Sequence, residues 1–428
     1  MKKDKKPIYI IDGLRTPFMK ARTQRGPFAA ADLGVYCASQ LFLKLQLHPS
    51  IVDEVIAACV NPSENEANIA RIMSLRLGCG QDVPGYTVAR NCGAGMQAVD
   101  NAMQSIQLGR SECVLVIGTE VMSRAPLIYN ADYTNWLGAL SSSKSLIKKI
   151  KTLAQFRLSF LNPIISIKHG LTDPTNDMIM GKTAEEIAFN YGIVRSEMDA
   201  FSLASHQKAH KAWEEGRFEE VVPLVSAYAD VIERDDGIRP DISLLKLSEL
   251  KPVFEKYGSI TAGNSSQVTD GAGALLVASE DFIKRHNLSP LAVVHDIAWT
   301  GCNPAMMGLG PVQSMAKVLE HNTMTFDQIQ TVEINEAFSA QVLGVLKSFD
   351  DPQLGAQFCH IGDHLGVIDR EKLNPCGGAI ALGHPIAASG IRLILRAIYN
   401  LRQHHGQYGL ASLCIGGGQG GAALIEAI

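Results

Sequence analysis

No run of about twenty apolar residues occurs in the chain, so no membrane-spanning helix is expected. No excess of basic charge occurs either. Lys and Arg number 39 against 43 Asp and Glu, a formal net charge of −4. A dedicated nucleic-acid binder usually carries a basic domain, so nucleic acid is not an expected partner. The nine cysteines are an odd number, scattered singly, with no CxxC pair. That excludes a disulfide framework and a zinc-finger pattern. The first residues lack the long apolar core of a signal peptide and the Arg- and Ser-rich helix of a transit peptide. A cytoplasmic protein is expected, with most cysteines serving as small buried hydrophobes. One long stretch lacks acid altogether: no Asp or Glu lies between Tyr133 and Thr172.

What is present is an ordinary globular composition, 46% hydrophobic and 19% charged. At roughly 150 residues per domain the length predicts two or three domains. Short apolar strands alternate with helical stretches, which predicts an α/β fold. The expected strands include Ile8 to Asp12, Val55 to Val60, Val114 to Gly118, Ala272 to Ala278, Val332 to Ile334 and Leu410 to Ile415. The expected helices include Gly93 to Leu108, Met198 to Glu215, Val312 to His321 and Ala388 to Arg402. A Gly-rich turn, a helix and a strand follow one another twice, after Gly93 and after Gly383, which suggests two related halves.

The middle, 126 to 250, reads differently. In its acid-free part sit Lys144, Lys148, Lys149, Lys151, Arg157 and Lys168. Leu146, Ile147, Ile150, Leu153, Leu158 and Leu161 fall on one face of a helix, with Lys144, Lys148 and Lys151 opposite. A basic amphipathic segment can lie on a membrane surface or dock on a partner. A solvated helix packed on its own domain has the same pattern.

Three glycine-dense segments hold reactive side chains. In Arg90-Asn91-Cys92-Gly93-Ala94-Gly95-Met96 the cysteine follows a short strand and opens a helix. A helix N-terminus offers free N–H groups and partial positive charge, both of which favour a thiolate. A buried cysteine in a strand–helix turn looks the same. In Gly383-His384-Pro385 the histidine is held before a helix, as suits a general base or a histidine satisfied by a carbonyl. In Cys414-Ile415-Gly416-Gly417-Gly418-Gln419-Gly420-Gly421 the letters match GxGxxG. Only seven residues follow Gly421, too few for the helix a dinucleotide site needs. These glycines are better suited to bringing backbone N–H groups near a substrate oxygen beside Cys414. His206 and His210 are four apart, but Gln207 stands where a zinc-protease glutamate would be, so a polar helix face is expected there and no metal.

Together these segments resemble the thiolase family, from Arg15-Thr16-Pro17-Phe18 to the last strand. Four blocks carry the likeness: the Cys92 turn, Asn335-Glu336-Ala337-Phe338, Gly383-His384-Pro385, and Cys414-Ile415-Gly416-Gly417-Gly418. Thr261-Ala262-Gly263-Asn264-Ser265-Ser266 with Asp270-Gly271-Ala272 looks like the family's coenzyme A segment. The resemblance implies two similar βαβαβαββ halves in a five-layered α-β-α-β-α core with an inserted loop domain. The halves would be 1–125 completed by 251–285, and 286–428, with the insert at 126–250. It implies that Cys92 is acylated, that His384 takes its proton, and that Cys414 is the second acid/base at the acetyl α-carbon. Asn335 would hold a water that, with His384, binds the thioester oxygen. The N–H groups of Cys92 and Gly416 would form the other oxyanion hole. Ser266, Met180, Ala262 and Phe338 would contact coenzyme A. No metal or cofactor is implied beyond coenzyme A and acyl-CoA as substrates. A homodimer or dimer of dimers is implied.

Two positions depart from the family pattern. Many relatives carry a glycine near Ala387, and Ile179 stands where biosynthetic members place histidine. The insert at 144–168 looks like the loop of thiolase subunits in β-oxidation complexes. Degradative 3-ketoacyl-CoA cleavage is therefore expected ahead of acetyl-CoA condensation, with a β-oxidation partner subunit or an anionic membrane as docking partner. The alternatives are a ketoacyl synthase-like condensing enzyme and a non-catalytic lipid-carrier or scaffold subunit. Cys414 and the Asn335 block speak against the first. Retention of every reactive residue speaks against the second.

Overall fold

The computed structural model describes residues 6–22, 26–225, 231–359 and 365–428. The extreme N-terminus read above for targeting signals lies partly outside them. The first half contributes strand β1 (Ile8–Arg15), helix α1 (Ala30–Leu45), β2 (Glu54–Ala58), α2 (Ile69–Leu77), β3 (Gly85–Val88), α3 (Ala94–Gln107) and β4 (Cys113–Val121). The middle contributes helices α4 (Leu146–Leu153) and α5 (Arg195–Glu214). Then come β5 (Thr269–Ser279), β6 (Ala292–Gly301), α6 (Gly310–Asn322), β7 (Thr331–Ile334), α7 (Ser339–Asp350), α8 (Ile386–Gln403), β8 (Tyr408–Ile415) and β9 (Gln419–Ala427).

The strands join in one mixed sheet in the order β7-β8-β9-β6-β1-β5-β4-β2-β3. Its two arms are built alike. In one, β4 pairs antiparallel with β5 and parallel with β2. In the other, β8 pairs antiparallel with β9 and parallel with β7. The arms meet where Ile8–Ile10 of β1 pairs with Ala292–Val294 of β6. Strands buried on both faces need continuous apolar runs, as β4 has in Val114-Leu115-Val116-Ile117.

Three cores give the layering. Residues of α1 and α2 pack on the outer side of the first arm. Residues of α6 and α7 pack on the outer side of the second. Between the arms lie α3 and α8, packed on each other and on both. The order is α-β-α-β-α, as the resemblance implied.

Glycines set how closely the two central helices approach. A Cβ on Gly95 would stand 2.5 Å from the Ala387 carbonyl oxygen. One on Gly390 would press on the Met96 nitrogen, and one on Gly118 again on the Ala387 oxygen. The contact falls at the N-terminal ends of α3 and α8, so the loops before them, carrying Cys92 and His384, converge.

The middle segment differs from the single basic helix expected. Helix α4 stops at Leu153, and Leu158–Leu161 forms a separate 3-10 turn. Lys144 precedes the helix, whose N-cap is Ser145, so Lys144 shares no helical face with Lys148 and Lys151. Four backbone groups at each end of so short a helix lack internal partners, and Ser145 satisfies one of them by accepting from Lys148 N–H. The segment has its own aromatic centre. Trp136 lies 5.8 Å from Tyr133 and 5.2 Å from Phe156, ring to ring, and its Nε1 donates to Thr152 O. The aliphatic side chains of α4 are left outside: Leu146 is 74% exposed and Ile147 70%. No described helix is long and apolar enough to cross a membrane.

Candidate active site

Cys92 sits in a tight turn between β3 and α3, with Gly93 at the helix N-cap. Asn91 before it has φ 42°, a left-handed conformation that Asn tolerates better than most side chains. Its Nδ2 donates to the Gly416 carbonyl at 3.0 Å, tying this turn to the glycine turn after β8. In return, the Gly416 N–H is hydrogen-bonded to the Cys92 sulfur, as is the N–H of Cys92 itself. Those two amides draw the thiol pKa down. Burial outweighs them, aided by the nearby Glu120 carboxylate, and the thiol is pushed up to about 11. Desolvation thus disfavours the charged form more than the two N–H dipoles restore it, and this opposes the thiolate that the start of a helix favours.

His384 is buried in the loop before α8. Its backbone N–H donates to Gln267 O. Its ring Nδ1 lies 2.5 Å from Ser389 Oγ, one turn into α8. Ser389 Oγ donates to Pro385 O at 3.1 Å, so it accepts from Nδ1–H. That pairing assigns the tautomer and leaves the Nε2 lone pair free, and Nε2 has no partner. Burial, with the positive charge of Arg392, lowers the imidazole pKa to about 4. At neutral pH His384 is an uncharged base with its basic atom unoccupied.

Cys414, 1% exposed, lies near the end of β8. Burial and the neighbouring sulfurs of Cys92 and Cys302 raise its thiol pKa well above the usual value. Asn335 follows β7 and donates its N–H to Ser412 O, two residues from Cys414. The parallel pairing of β7 with β8 thus delivers both to one end of the sheet.

One cavity of about 130 Å³ joins these parts. Cys92, His384 and Cys414 line it together with the expected Ser266, Met180 and Phe338. Gly416 stands behind Cys92, facing it through its N–H. Asn335 and Ala262 do not line the cavity. Asn335 is fully buried beneath, and Ala262 is exposed to solvent. Most of the remaining wall is apolar, with Met122, Leu171, Ile179, Phe254, Val268 and Met307 drawn from widely separated segments beside the polar Ser265 and Gln267. Apart from Ile179, nothing in the sequence pointed to these apolar residues. Ser389 and Arg392 were also missed, though polar residues in so apolar a helix were a signal. Glu120 was missed too. It accepts N–H bonds from Val60, Asn61 and Ala387, anchoring the first turn of α8, and burial pushes its carboxyl up to about 7.

Elsewhere, His206 is buried and its Nδ1 accepts from Arg239 N–H, so α5 does not present it on the polar face expected from sequence. Among the described residues, no three His, Cys, Asp or Glu side chains are grouped to hold a metal.

A neutral histidine with a free nitrogen and a backbone-supported thiol, enclosed with a second thiol in an apolar cavity, can open a thioester by covalent transfer. The comparisons with known proteins agree. Residues 8–281 match the family model "Thiolase, N-terminal domain" and 288–427 match "Thiolase, C-terminal domain". The mitochondrial trifunctional enzyme subunit beta of Bos taurus is 34% identical over 98% of this chain and 88% of its own length. The beta-ketoadipyl-CoA thiolase of Pseudomonas putida is 36% identical over 98% of this chain and 99% of its own. The crystal structure of human mitochondrial 3-ketoacyl-CoA thiolase in complex with CoA superposes with a TM-score of 0.86 at 34% identity, covering 99% of this chain and 98% of that one. The chain belongs to the thiolase family, enzymes that transfer acyl groups between coenzyme A thioesters by thiolytic cleavage or condensation.

Proposed function

We propose that this enzyme works in the degradative direction, cleaving 3-ketoacyl-CoA through an acyl group carried on Cys92. The Cys92 thiol attacks the 3-keto carbon as its proton passes to His384 Nε2. The oxygen of the tetrahedral intermediate is held by the N–H groups of Cys92 and Gly416. One such donor is typically worth about 2.7–4 kcal/mol. The C2–C3 bond then breaks, and the departing acetyl-CoA enolate takes a proton from Cys414. A water on Asn335, with His384, holds the enolate oxygen. Coenzyme A then gives its thiol proton to the Cys414 thiolate and attacks the acyl-Cys92 thioester; the new acyl-CoA leaves, and the Cys92 sulfur takes back its proton from His384. The observation that carries this reading is the buried, unpartnered Nε2 of His384 in one cavity with both thiols. Met180, Ser266 and Phe338 on its wall are suited to the pantetheine arm, with Ala262 at the exposed end. Ile179 supports the degradative direction. Incubation with an acyl-CoA followed by mass spectrometry should find the acyl group on Cys92, and Cys92→Ser should abolish turnover. Acylation of another cysteine with Cys92 free rules the reading out.

We further propose a division into two thiolase halves, 1–125 with 251–285 and 286–428, around an insert at 126–250. The edge strand β3 beside the Cys92 turn suits a homodimer or dimer of dimers, which light scattering on the eluted protein tests. The insert docks this cytoplasmic enzyme on an anionic membrane. In support, Leu146, Ile147 and Ile150 are exposed beside Lys148, Lys149 and Lys151, with no acid nearby in sequence. Each lysine near an anionic surface contributes about 1 kcal/mol. Lys144→Glu/Lys148→Glu/Lys151→Glu should lose co-sedimentation with phosphatidylglycerol-containing vesicles and keep short-chain turnover. Equal binding by variant and wild type, or binding only to a β-oxidation partner subunit, overturns it.

A further inference from the structure

Helix α8 carries more than the His384 support. Ser389, Arg392, Arg396 and Asn400 repeat at three- and four-residue spacing, so they share one face, and all four are buried. Of the two arginines, Arg396 is turned away from the site, to Glu220. Arg392 is turned toward it. Its Nη2 donates to Asn335 Oδ1 at 3.2 Å and its Nη1 to Glu333 Oε2 at 3.4 Å. Glu333 Oε1 is held in turn by Asn400 Nδ2 at 2.9 Å. Asn335 Nδ2, fully buried, has no partner.

The chemistry of the pair decides which end of the amide faces which way. A guanidinium has only donors, so the end of Asn335 in contact with Arg392 must be its oxygen. A flipped amide would set donor against donor, and a buried unmade pairing of that kind is costly. The NH2 end is therefore the end left for another acceptor.

We propose that Arg392 is a positioning residue for the reaction, holding the Asn335 amide with its oxygen turned inward and its NH2 offered to the oxyanion site. This rests on the reading above that Asn335 serves the enolate oxygen. Arg392 touches no substrate and acts through Asn335. Glu333 keeps the guanidinium in place from the other side.

The two oxyanion sites let the proposal be separated from a structural role. Cys92 and Gly416 amides serve acyl transfer at Cys92; Asn335 serves the enolate. Arg392→Lys keeps the positive charge but loses the fixed fork. Exchange of the acetyl-CoA α-protons with solvent should fall about 10–100-fold, toward the loss of one misplaced oxyanion donor. Acetyl exchange between acetyl-CoA and labelled coenzyme A, which needs Cys92, His384 and the Cys92 and Gly416 amides but not the Asn335 site, should stay within about threefold. In an Asn335→Ala background, already slow in proton exchange, Arg392→Lys should add almost nothing. Equal loss in both assays, or losses that multiply in the double variant, overturns the proposal. Wild-type proton exchange in Asn335→Ala alone overturns instead the underlying reading of Asn335. Should Arg392→Lys fail to fold, Asn335→Asp serves. It keeps an acceptor against Arg392 and replaces the NH2 with oxygen, so proton exchange should fall at least as far as in Asn335→Ala. Wild-type exchange in Asn335→Asp overturns the proposal.

Discussion

Gly95→Ala probes how the crossing of α3 and α8 assembles the site. The added methyl would meet Ala387 O at 2.5 Å, Ile391 N at 3.2 Å and Ile391 Cγ1 at 3.4 Å. Ordinary contact begins at 3.4 Å, so the nearest pair must separate by 3.4 − 2.5 = 0.9 Å. The nearest obstacle is backbone, which cannot rotate aside. Ala387 lies three residues after His384, and Gly95 three after Cys92. The adjustment therefore falls between nucleophile and base. A displacement of about 1 Å between reacting groups costs about 10²-fold in rate. Overpacking a filled core costs typically about 1–3 kcal/mol of stability, against a gain of about 0.5–1 kcal/mol in helix propensity. Gly95→Ala should thus lose about 10²-fold in kcat for acetoacetyl-CoA thiolysis and unfold at a lower temperature. Gly138→Ala is the control. It lies in the helix Ala131–Ser142 with nothing within 4 Å of the added methyl, so it should raise stability and leave kcat unchanged. Wild-type kcat in Gly95→Ala, or a lowered unfolding temperature with kcat untouched, would refute the idea that this contact sets the Cys92–His384 geometry.

The ligand-free Cys92 thiol at about 11 should alkylate slowly at neutral pH. Its rate with iodoacetamide should climb about tenfold per pH unit to near pH 10. A plateau near pH 7 would instead reveal a standing thiolate–imidazolium pair. Cys414→Ala should still accept acetyl on Cys92 yet lose α-proton exchange with solvent, and exchange at the normal rate removes Cys414 from its role. Acid should weaken the fold through its buried histidines. Burial holds His384 and His206 near 4 when folded, against an ordinary 6.5, so the unfolded chain binds more protons between these values. The neutral-state stability is present above pH 6.5 and lost as pH falls toward 4, by about 3 kcal/mol per histidine at most. His206→Gln should flatten that loss in urea titrations across the window, and an unchanged slope counts against the assignment.

Much of this molecule was readable before any coordinates. The apolar run Val114–Ile117 suits a strand covered on both faces, as it proves to be. The turn–helix–strand unit after Cys92 and after His384 predicted the paired arms. Cys92, His384 and Cys414 stood out because each is a reactive side chain among glycines, a local property. Protonation was not local. The Cys92 turn offers helix-terminal amides that favour a thiolate, and desolvation in the folded chain outweighs them. The basic segment kept its periodicity past Leu153 in sequence, yet its helix ended there, because the pattern does not reveal where the backbone leaves the helical path. The apolar wall of the cavity joins residues from 122 to 307, which no spacing connects. Ser389 and Arg392 were visible as polar residues in an apolar helix. Only the packing of α8 against β7 decided that one would set the histidine tautomer and the other would meet Asn335. Side-chain type and period are written along the chain; burial, and the partner that each buried polar group must find, are settled only when distant segments close around it.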